Sequence, residues 1–386
     1  MKRWLVNGAL IAASVLVALL LVEFTLRLVG FSNPVFGTYD DITGTKLRAG
    51  AAGWQGVEGR AYVKINSDGL RDREHSKNKS LNTIRIAILG DSMAEALQVP
   101  VESTFSSVLE RQLKSCNAFG GRDVEVINFG VSGYGTAQEL LTLIHRASAY
   151  SPDVVVLEFF SGNDVRNNSR ELEPMKLRPF FRLEQGGLVL DNSFLNDREY
   201  LDFKSRFEGR KLFFELRTFH LLRKIKSIVD QIRSGEARAA PGTMIEPGLN
   251  DEIFLETMKP AWKEAWQVTE ALIVKLHEEV VSHNGRLIIA AIPAGIQSHP
   301  DLQIRKKFMQ QLKVEDLNYP DKRIRALAEQ EKIDAVILAD PFLSFAEKNK
   351  VYLHGFANTA FGFGHINESG HRLAGELIAE RLCRKK

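Results

Sequence analysis

The run Ile84-Arg85-Ile86-Ala87-Ile88-Leu89-Gly90-Asp91-Ser92 decides the fold. Its first six residues are apolar apart from Arg85, which suits a short strand covered on both faces of a parallel sheet. Gly90 permits a sharp turn at the strand end. Helical spacing follows from about Glu102 to Leu113, with Phe105, Val108, Leu109 and Leu113 on one face. In an open α/β sheet, ligands bind beyond the carboxyl ends of the strands, so Ser92 stands where chemistry is usually done. Taken alone, Asp91 and Ser92 read as well as caps of a turn or helix, because both residue types are common caps.

The same rhythm repeats downstream. Val124 to Asn128 is a second strand, ending in Phe129-Gly130-Val131-Ser132-Gly133-Tyr134-Gly135. Glycines so closely spaced demand unusual backbone angles or a close approach of backbone to a ligand. Thr136 is placed to cap a helix over 137–148. Pro152 to Phe160 is a third strand, ending in Ser161-Gly162-Asn163-Asp164. Residues 165–255 then interrupt the pattern. They hold a hairpin from Phe180 to Phe194 through Gly186-Gly187, an apolar-periodic helix from Lys211 to Arg233, and a Pro- and Gly-containing loop over 239–250. The basic residues of that helix (Arg217, Arg223, Lys224, Lys226, Arg233) suit either an anionic lipid or glycan or a merely solvated face. The core resumes with an amphipathic helix from Thr257 to His283, closed by Asn284-Gly285. A fourth strand (Arg286–Ile292), a helix (Lys322–Glu331), a fifth strand (Ile333–Leu338) and a last helix (Ile366–Cys383) complete the chain. Strand–helix alternation of this kind predicts a parallel, doubly wound sheet of about five strands with right-handed crossovers.

The amino terminus departs from a soluble protein. Lys2 and Arg3 precede the uncharged run Trp4 to Val22. At 1.5 Å per residue this run covers roughly 28 Å, about the thickness of a bilayer core. The basic pair places the amino terminus in the cytoplasm and everything after the run outside. A cleaved signal peptide and a buried soluble helix are the competing readings. The helical pattern continues past the run with a Glu23–Arg27 i,i+4 pair, which favours an anchor. The expected organisation is an anchor at 1–30, a membrane-proximal linker at 31–80 with a short strand near Ala61 and a turn at Ser67-Asp68-Gly69, and a catalytic domain at 81–386 with the insertion at 165–255. The net charge of +3 and the lack of a basic stripe with interleaved aromatics argue against nucleic acid. Two cysteines, Cys116 and Cys383, make neither a disulfide scaffold nor a Cys-based zinc site.

The strand ends offer Ser92, Gly130 and Asn163 in turn, and a late loop offers His365. A serine needs a base to become a nucleophile, and a histidine within hydrogen-bond reach is the usual one. The tetrahedral oxyanion needs donors fixed beforehand. The blocks Gly90-Asp91-Ser92, Asn128-Phe129-Gly130, Gly162-Asn163-Asp164 and Gly364-His365-Ile366-Asn367 stand in an order that resembles the SGNH hydrolases, also called GDSL-type esterases. The stretch Ile65 to Arg71 and the apolar amino terminus are similar to membrane-tethered members from bacterial envelopes. The resemblance implies a flavodoxin-like three-layer α/β/α sandwich and acyl-ester chemistry without metal or organic cofactor. Ser92 would be nucleophile and His365 base. The Ser92 and Gly130 N–H groups and the Asn163 side chain would form the oxyanion hole, with Asp91, Gly162 and Asp164 in support. His371 is expected to be structural. A zinc site from His354, His365 and His371 is not expected, because no nearby carboxylate or Cys completes it.

One departure stands out. The family usually carries an Asp three residues before the catalytic histidine, and here that position is Gly362. Three explanations are open: a Ser–His dyad with a backbone carbonyl holding the imidazole, a carboxylate from elsewhere such as Asp340 or Glu158, or a weakened site. In the implied fold the first and last core helices run side by side, so Cys116 and Cys383 would lie at one edge, as a disulfide in an oxidising compartment or as unrelated thiols. The expected function is an envelope esterase or deacylase acting on acyl esters, O-acetyl glycans among them. The alternatives are an O-acyltransferase using the same residues and a non-catalytic binding or assembly component.

Overall fold

The computed structural model describes residues 2–234, 250–256 and 258–384. The elements in chain order are α1 (Lys2–Leu28), β1 (Gly37–Asp40), β2 (Gly44–Leu47), β3 (Ala52–Gln55), β4 (Ala61–Lys64), β5 (Thr83–Leu89), α2 (Ser92–Glu95), α3 (Phe105–Ser115), β6 (Asp123–Asn128), α4 (Thr136–His145), β7 (Val154–Phe160) and α5 (Asp164–Asn167). They continue with β8 (Phe180–Glu184), β9 (Gly187–Asp191), α6 (Arg198–Arg210), α7 (Arg217–Ser234), α8 (Pro260–Ser282), β10 (Arg286–Ile292), α9 (Leu302–Leu312), α10 (Tyr319–Glu331), β11 (Asp334–Ile337), α11 (Ala339–Asn349) and α12 (Glu368–Cys383).

The centre is a five-stranded, all-parallel sheet in the order β11-β10-β7-β5-β6. The chain therefore winds outward from β5 in one direction to β6 and in the other through β7, and the order reverses between β5 and β7. A crevice opens beyond the strand ends at such a switch point. Ser92 follows β5 and Asn163 follows β7, so both border it. β7 is buried along its whole length, as a central strand covered on both faces must be. The expected three-layer α/β architecture and its five strands are what the structure has.

α3 and α12 pack side by side on one face. Gly375 makes the approach possible, since a Cβ there would lie 2.7 Å from the Phe105 carbonyl oxygen. The two helix ends carry Cys116 and Cys383, which form a disulfide with Cα atoms 6.2 Å apart. His371 is buried in the same seam. Its Nδ1 accepts the Phe105 N–H at 3.3 Å and its ring stacks on Phe105. Burial pushes this imidazole down to about 3, so it is neutral and structural.

Several local expectations change. Thr136 does not cap α4; Gly135 does, with its N–H bonded to the Gln138 side chain at 3.2 Å, and Thr136 is the first helical residue. α9 and α11 were not expected as helices. Most of the loop placed at 239–250 lies outside the described residues. The largest difference concerns 31–80. In place of a linker it forms two antiparallel hairpins, β1–β2 and β3–β4, held to the rest of the chain. Leu47, Ala51, Val63 and Ile65 make a small core with Val131 and Tyr134. Tyr134 donates its hydroxyl to the Thr45 carbonyl at 2.7 Å. From the other side, Tyr200 of α6 donates to Asp41 at 2.7 Å, and Arg48 pairs with Glu215 at 2.7 Å. The segment is thus clasped between the core and the insertion.

Candidate active site

Ser92 is the first residue of α2, a single helical turn that Asp91 caps by accepting the Met93 N–H at 2.8 Å. Ala96 ends the turn in the left-handed region at φ 54°. A first-turn N–H has no partner within its helix, and the Ser92 N–H bonds to nothing else among the described residues. His365 Nε2 lies 2.9 Å from Ser92 Oγ. The predicted nucleophile and base are therefore in hydrogen-bond contact across 273 residues of sequence.

The other face of the imidazole meets a residue that the sequence reading did not single out. Glu58 Oε2 hydrogen-bonds His365 Nδ1, and Glu58 Oε1 accepts the His365 backbone N–H at 3.0 Å. Glu58 sits in the turn between β3 and β4. Asn358 holds that turn, accepting the Gly59 N–H at 2.9 Å and donating to the Gly59 carbonyl at 3.0 Å. Gly364, at φ +83°, leaves room for the carboxylate, because any Cβ there would run into Glu58 Oε1. Asp340 and Glu158, the substitutes considered from sequence, are not the partners of Nδ1. Asp340 belongs to the first turn of α11, and Glu158 lies within β7 behind Asp91. At Gly362 the backbone is left-handed (φ +87°), and a Cβ would collide with the His299 ring. The family's usual acid has no space at that position.

Asn163 precedes α5 and is buried. Its Nδ2 donates to Asp91 Oδ2 at 2.7 Å, which leaves the second amide hydrogen for another acceptor. Asp164 Oδ2 accepts the Phe160 N–H at 2.7 Å and closes the turn that carries Gly162 and Asn163. Gly130 behaves differently from the expectation. Its N–H donates to Asn128 Oδ1 at 2.9 Å, and a Cβ on it would fall 2.6 Å from Ala94 Cβ. It is a close-packing glycine whose single donor is engaged. Gly133, three residues on, has φ +78°, and its N–H has no partner among the described residues. Its carbonyl is held by Asn167 Nδ2 at 3.1 Å and by Arg178.

Beneath Ser92 lies a group of buried carboxyls. Glu158 Oε2 accepts the Asp91 N–H at 3.1 Å. Burial raises Asp91, and burial together with mutual repulsion holds Glu139, Glu158 and Asp164 well above the usual carboxylate range. Glu95, at the end of α2, is bonded by the Ser132 hydroxyl, and burial pushes it up to about 7. His354 donates from Nε2 to the Pro293 carbonyl at 3.0 Å and accepts at Nδ1 from Ser298, and burial lowers it to about 4. The arrangement at Ser92 has the parts of nucleophilic acyl transfer: a hydroxyl, a base bonded to it, a carboxylate on the far ring nitrogen, and donors beside the hydroxyl.

No protein-family model matches the chain. An arylesterase of Vibrio mimicus is 32% identical over 82 residues, which is 21% of this chain and 39% of that protein. The chain thus spans about 39% of the length of the curated relative it matches. Among solved structures, the acetyl xylan esterase AlAXEase aligns over 77% of this chain and 99% of its own at 15% identity and TM-score 0.40. A catalytic mutant of Axe2, an acetylxylan esterase from Geobacillus stearothermophilus, aligns over 80% and 96% at 13% identity and TM-score 0.39. A lipase/acylhydrolase from Enterococcus faecalis aligns over 78% and 95% at 14% identity and TM-score 0.38. In the order of its blocks and in the parallel sheet that carries them, the chain resembles the SGNH (GDSL-type) hydrolases.

Proposed function

We propose that this chain is a serine esterase or deacylase of the SGNH type, held at a membrane by α1 with its catalytic domain outside the cytoplasm. The observation that carries the reading is the contact of Ser92 Oγ with His365 Nε2, backed by Glu58 on Nδ1. In this reading the expected Ser–His dyad becomes a triad. Ser92 Oγ attacks the acyl carbonyl while His365 Nε2 takes its proton. The Glu58 carboxylate holds the Nδ1–H tautomer and stabilises the imidazolium. The oxyanion is received by the Ser92 N–H and the second Asn163 amide hydrogen. We assign the third donor to Gly133 rather than Gly130, whose N–H is already bonded to Asn128. The alcohol leaves with the proton from His365, and water, activated by the same imidazole, releases the acid.

Two features support placement outside the cytoplasm. Lys2 and Arg3 precede the apolar run, and such charge marks the cytoplasmic side. The Cys116–Cys383 disulfide fits an oxidising compartment. The proposed substrate class is an acyl ester at the cell envelope, with O-acetylated glycan first among those to try.

The test is hydrolysis of p-nitrophenyl acetate by the full chain in detergent, beside Ser92→Ala and His365→Ala. Both variants are expected to lose about 10⁴-fold or more in kcat/KM. Folded variants that retain turnover would overturn the assignment. Adding a glycan acceptor then separates hydrolysis from transfer, since an O-acyltransferase would move the acyl group to sugar in preference to water.

A further inference from the structure

α7 exposes an apolar face. Leu222, Ile225, Ile228, Val229 and Ile232 are 64, 47, 45, 36 and 75% exposed. At about 100° per residue these five fall within an arc of about 120°. Arg217 and Lys224 border that arc on one side, and Lys226 and Arg233 border it on the other. Ser227 and Asp230 lie opposite. This is the pattern of a helix lying in a lipid interface, with aliphatic side chains downward and long basic ones reaching sideways to headgroups.

The start of α7 is tied to the end of the apolar helix. Glu23 accepts the Arg217 N–H at 3.0 Å and the Thr218 N–H at 2.8 Å, so it caps α7. Arg27 pairs with Glu23 and donates to the Glu215 carbonyl at 2.9 Å. Glu23 is the first charged residue after the run Trp4–Val22. A span that ends there sets the first turn of α7 at the bilayer surface. Beside the arc, sharing Leu222 and Lys226 with it, is a groove of about 1080 Å³ between α6 and α7, lined by Phe207, Phe214, Arg206 and Arg210 among others. Its guanidinium groups suit an anionic headgroup.

We infer that α7 lies in the surface of an anionic phospholipid bilayer on the side where α1 emerges, and so fixes the orientation of the catalytic domain over the membrane. This rests on the reading of α1 as a span. The contact does not depend on the catalytic residues. Covering such an arc sinks it about 5–10 Å into the headgroup–acyl boundary.

The experiment uses the full chain reconstituted in vesicles with and without phosphatidylglycerol. Both native cysteines are paired, so an introduced cysteine is the free thiol to label. Bimane is attached at Ile225→Cys, Val229→Cys, Ser227→Cys and, within the span, Val15→Cys. Lipids brominated on the acyl chain then quench what they touch. The expected result is loss of fluorescence at 225, 229 and 15 but not at 227. The loss at 225 should be greater with phosphatidylglycerol and should weaken in a Lys224→Glu/Lys226→Glu background that leaves ester hydrolysis unchanged. Quenching at 15 with none at 225 or 229 overturns the surface contact while leaving the span. No quenching at 15 overturns the span and the inference with it. Blue-shifted but unquenched label at 225 means that protein, such as a second copy, covers the arc, and also overturns it.

Discussion

Two sets of carboxyls surround Ser92, and they differ in their surroundings. Glu158 comes from β7, Asp91, Glu95 and Asp164 from the short turns that follow β5 and β7, and Glu139 from α4, and all are buried with their pKa values raised. Asp91 and Glu95 feel the His365 imidazole through space, but it is Glu58 that bonds its Nδ1. Glu58 comes from a hairpin turn outside the sheet, keeps 17% side-chain exposure, and bonds both Nδ1 and the backbone N–H of His365. Desolvation works against an anion, while an imidazolium needs one beside it. The core carboxyls brace the turn and the Asn163 amide, and the charge partner is brought in from the periphery.

The sharpest way to break this comparison is Glu58→Gln. It keeps the size and one hydrogen bond but removes the anion. Loss of about 10³–10⁴ in kcat is expected if Glu58 acts as the third triad member. A rate close to that of the unchanged chain would return the site to a dyad. The next effect belongs to the core alone. Removing the disulfide with Cys116→Ser/Cys383→Ser should cost about 2–4 kcal/mol of stability. Turnover measured well below the melting temperature should stay near normal, because neither cysteine touches the site. Loss of turnover in the folded variant would tie the α3–α12 seam to the chemistry.

A third change asks whether the acid can be moved. Gly362→Asp, added to Glu58→Gln, puts a carboxyl where the SGNH hydrolases, which this chain resembles, usually carry one. The left-handed backbone and the His299 ring leave it no room, so the variant should fail to rescue turnover and should lose about 1–3 kcal/mol of stability. Rescue would show that periphery and core are interchangeable. The smallest effect is on pH dependence. Glu95 titrates near 7 in the folded chain and near the ordinary 4.5 when unfolded. Between these values the folded state binds more protons, so this group makes stability fall as pH rises through the window. Glu95→Gln should flatten that fall by on the order of 1–2 kcal/mol, read from thermal melts at pH 5 and pH 8. An unchanged slope would mean that Glu95 does not carry the excess proton.

What could be read from sequence divides along the same line. The five strands were legible because a strand buried on both faces is a short apolar run with a polar or glycine stop, as Ile84 to Gly90 and Val154 to Ser161 show. Ser92, Asn163 and His365 were legible because each stands at such a stop or in the loop before the last helix. Glu58 was not, since a carboxylate in a hairpin turn has no periodicity and its partner lies 307 residues away. The glycine-rich turn after β6 announced a close approach but not which glycine would keep its N–H. α11 starts one residue after the expected end of the fifth strand, Leu338, which leaves no loop between them to announce a helix. Within 31–80 the strand near Ala61 was legible and is β4, whose burial alternates, whereas β1, β2 and β3 are four residues each and show no alternation.

The position of Glu58 also orders events in time. The hairpin turn that carries it leaves the ribosome 307 residues before His365 does. Contacts spanning 307 and 273 residues are slow to form and cannot precede synthesis of the loop that carries His365. A nascent chain that stops short of His365 therefore holds Ser92 without its hydrogen-bond partner, and under the proposed function it has no base. If Ser92 and His365 act as proposed, the first turnover is a clock for the docking of the loop that carries His365.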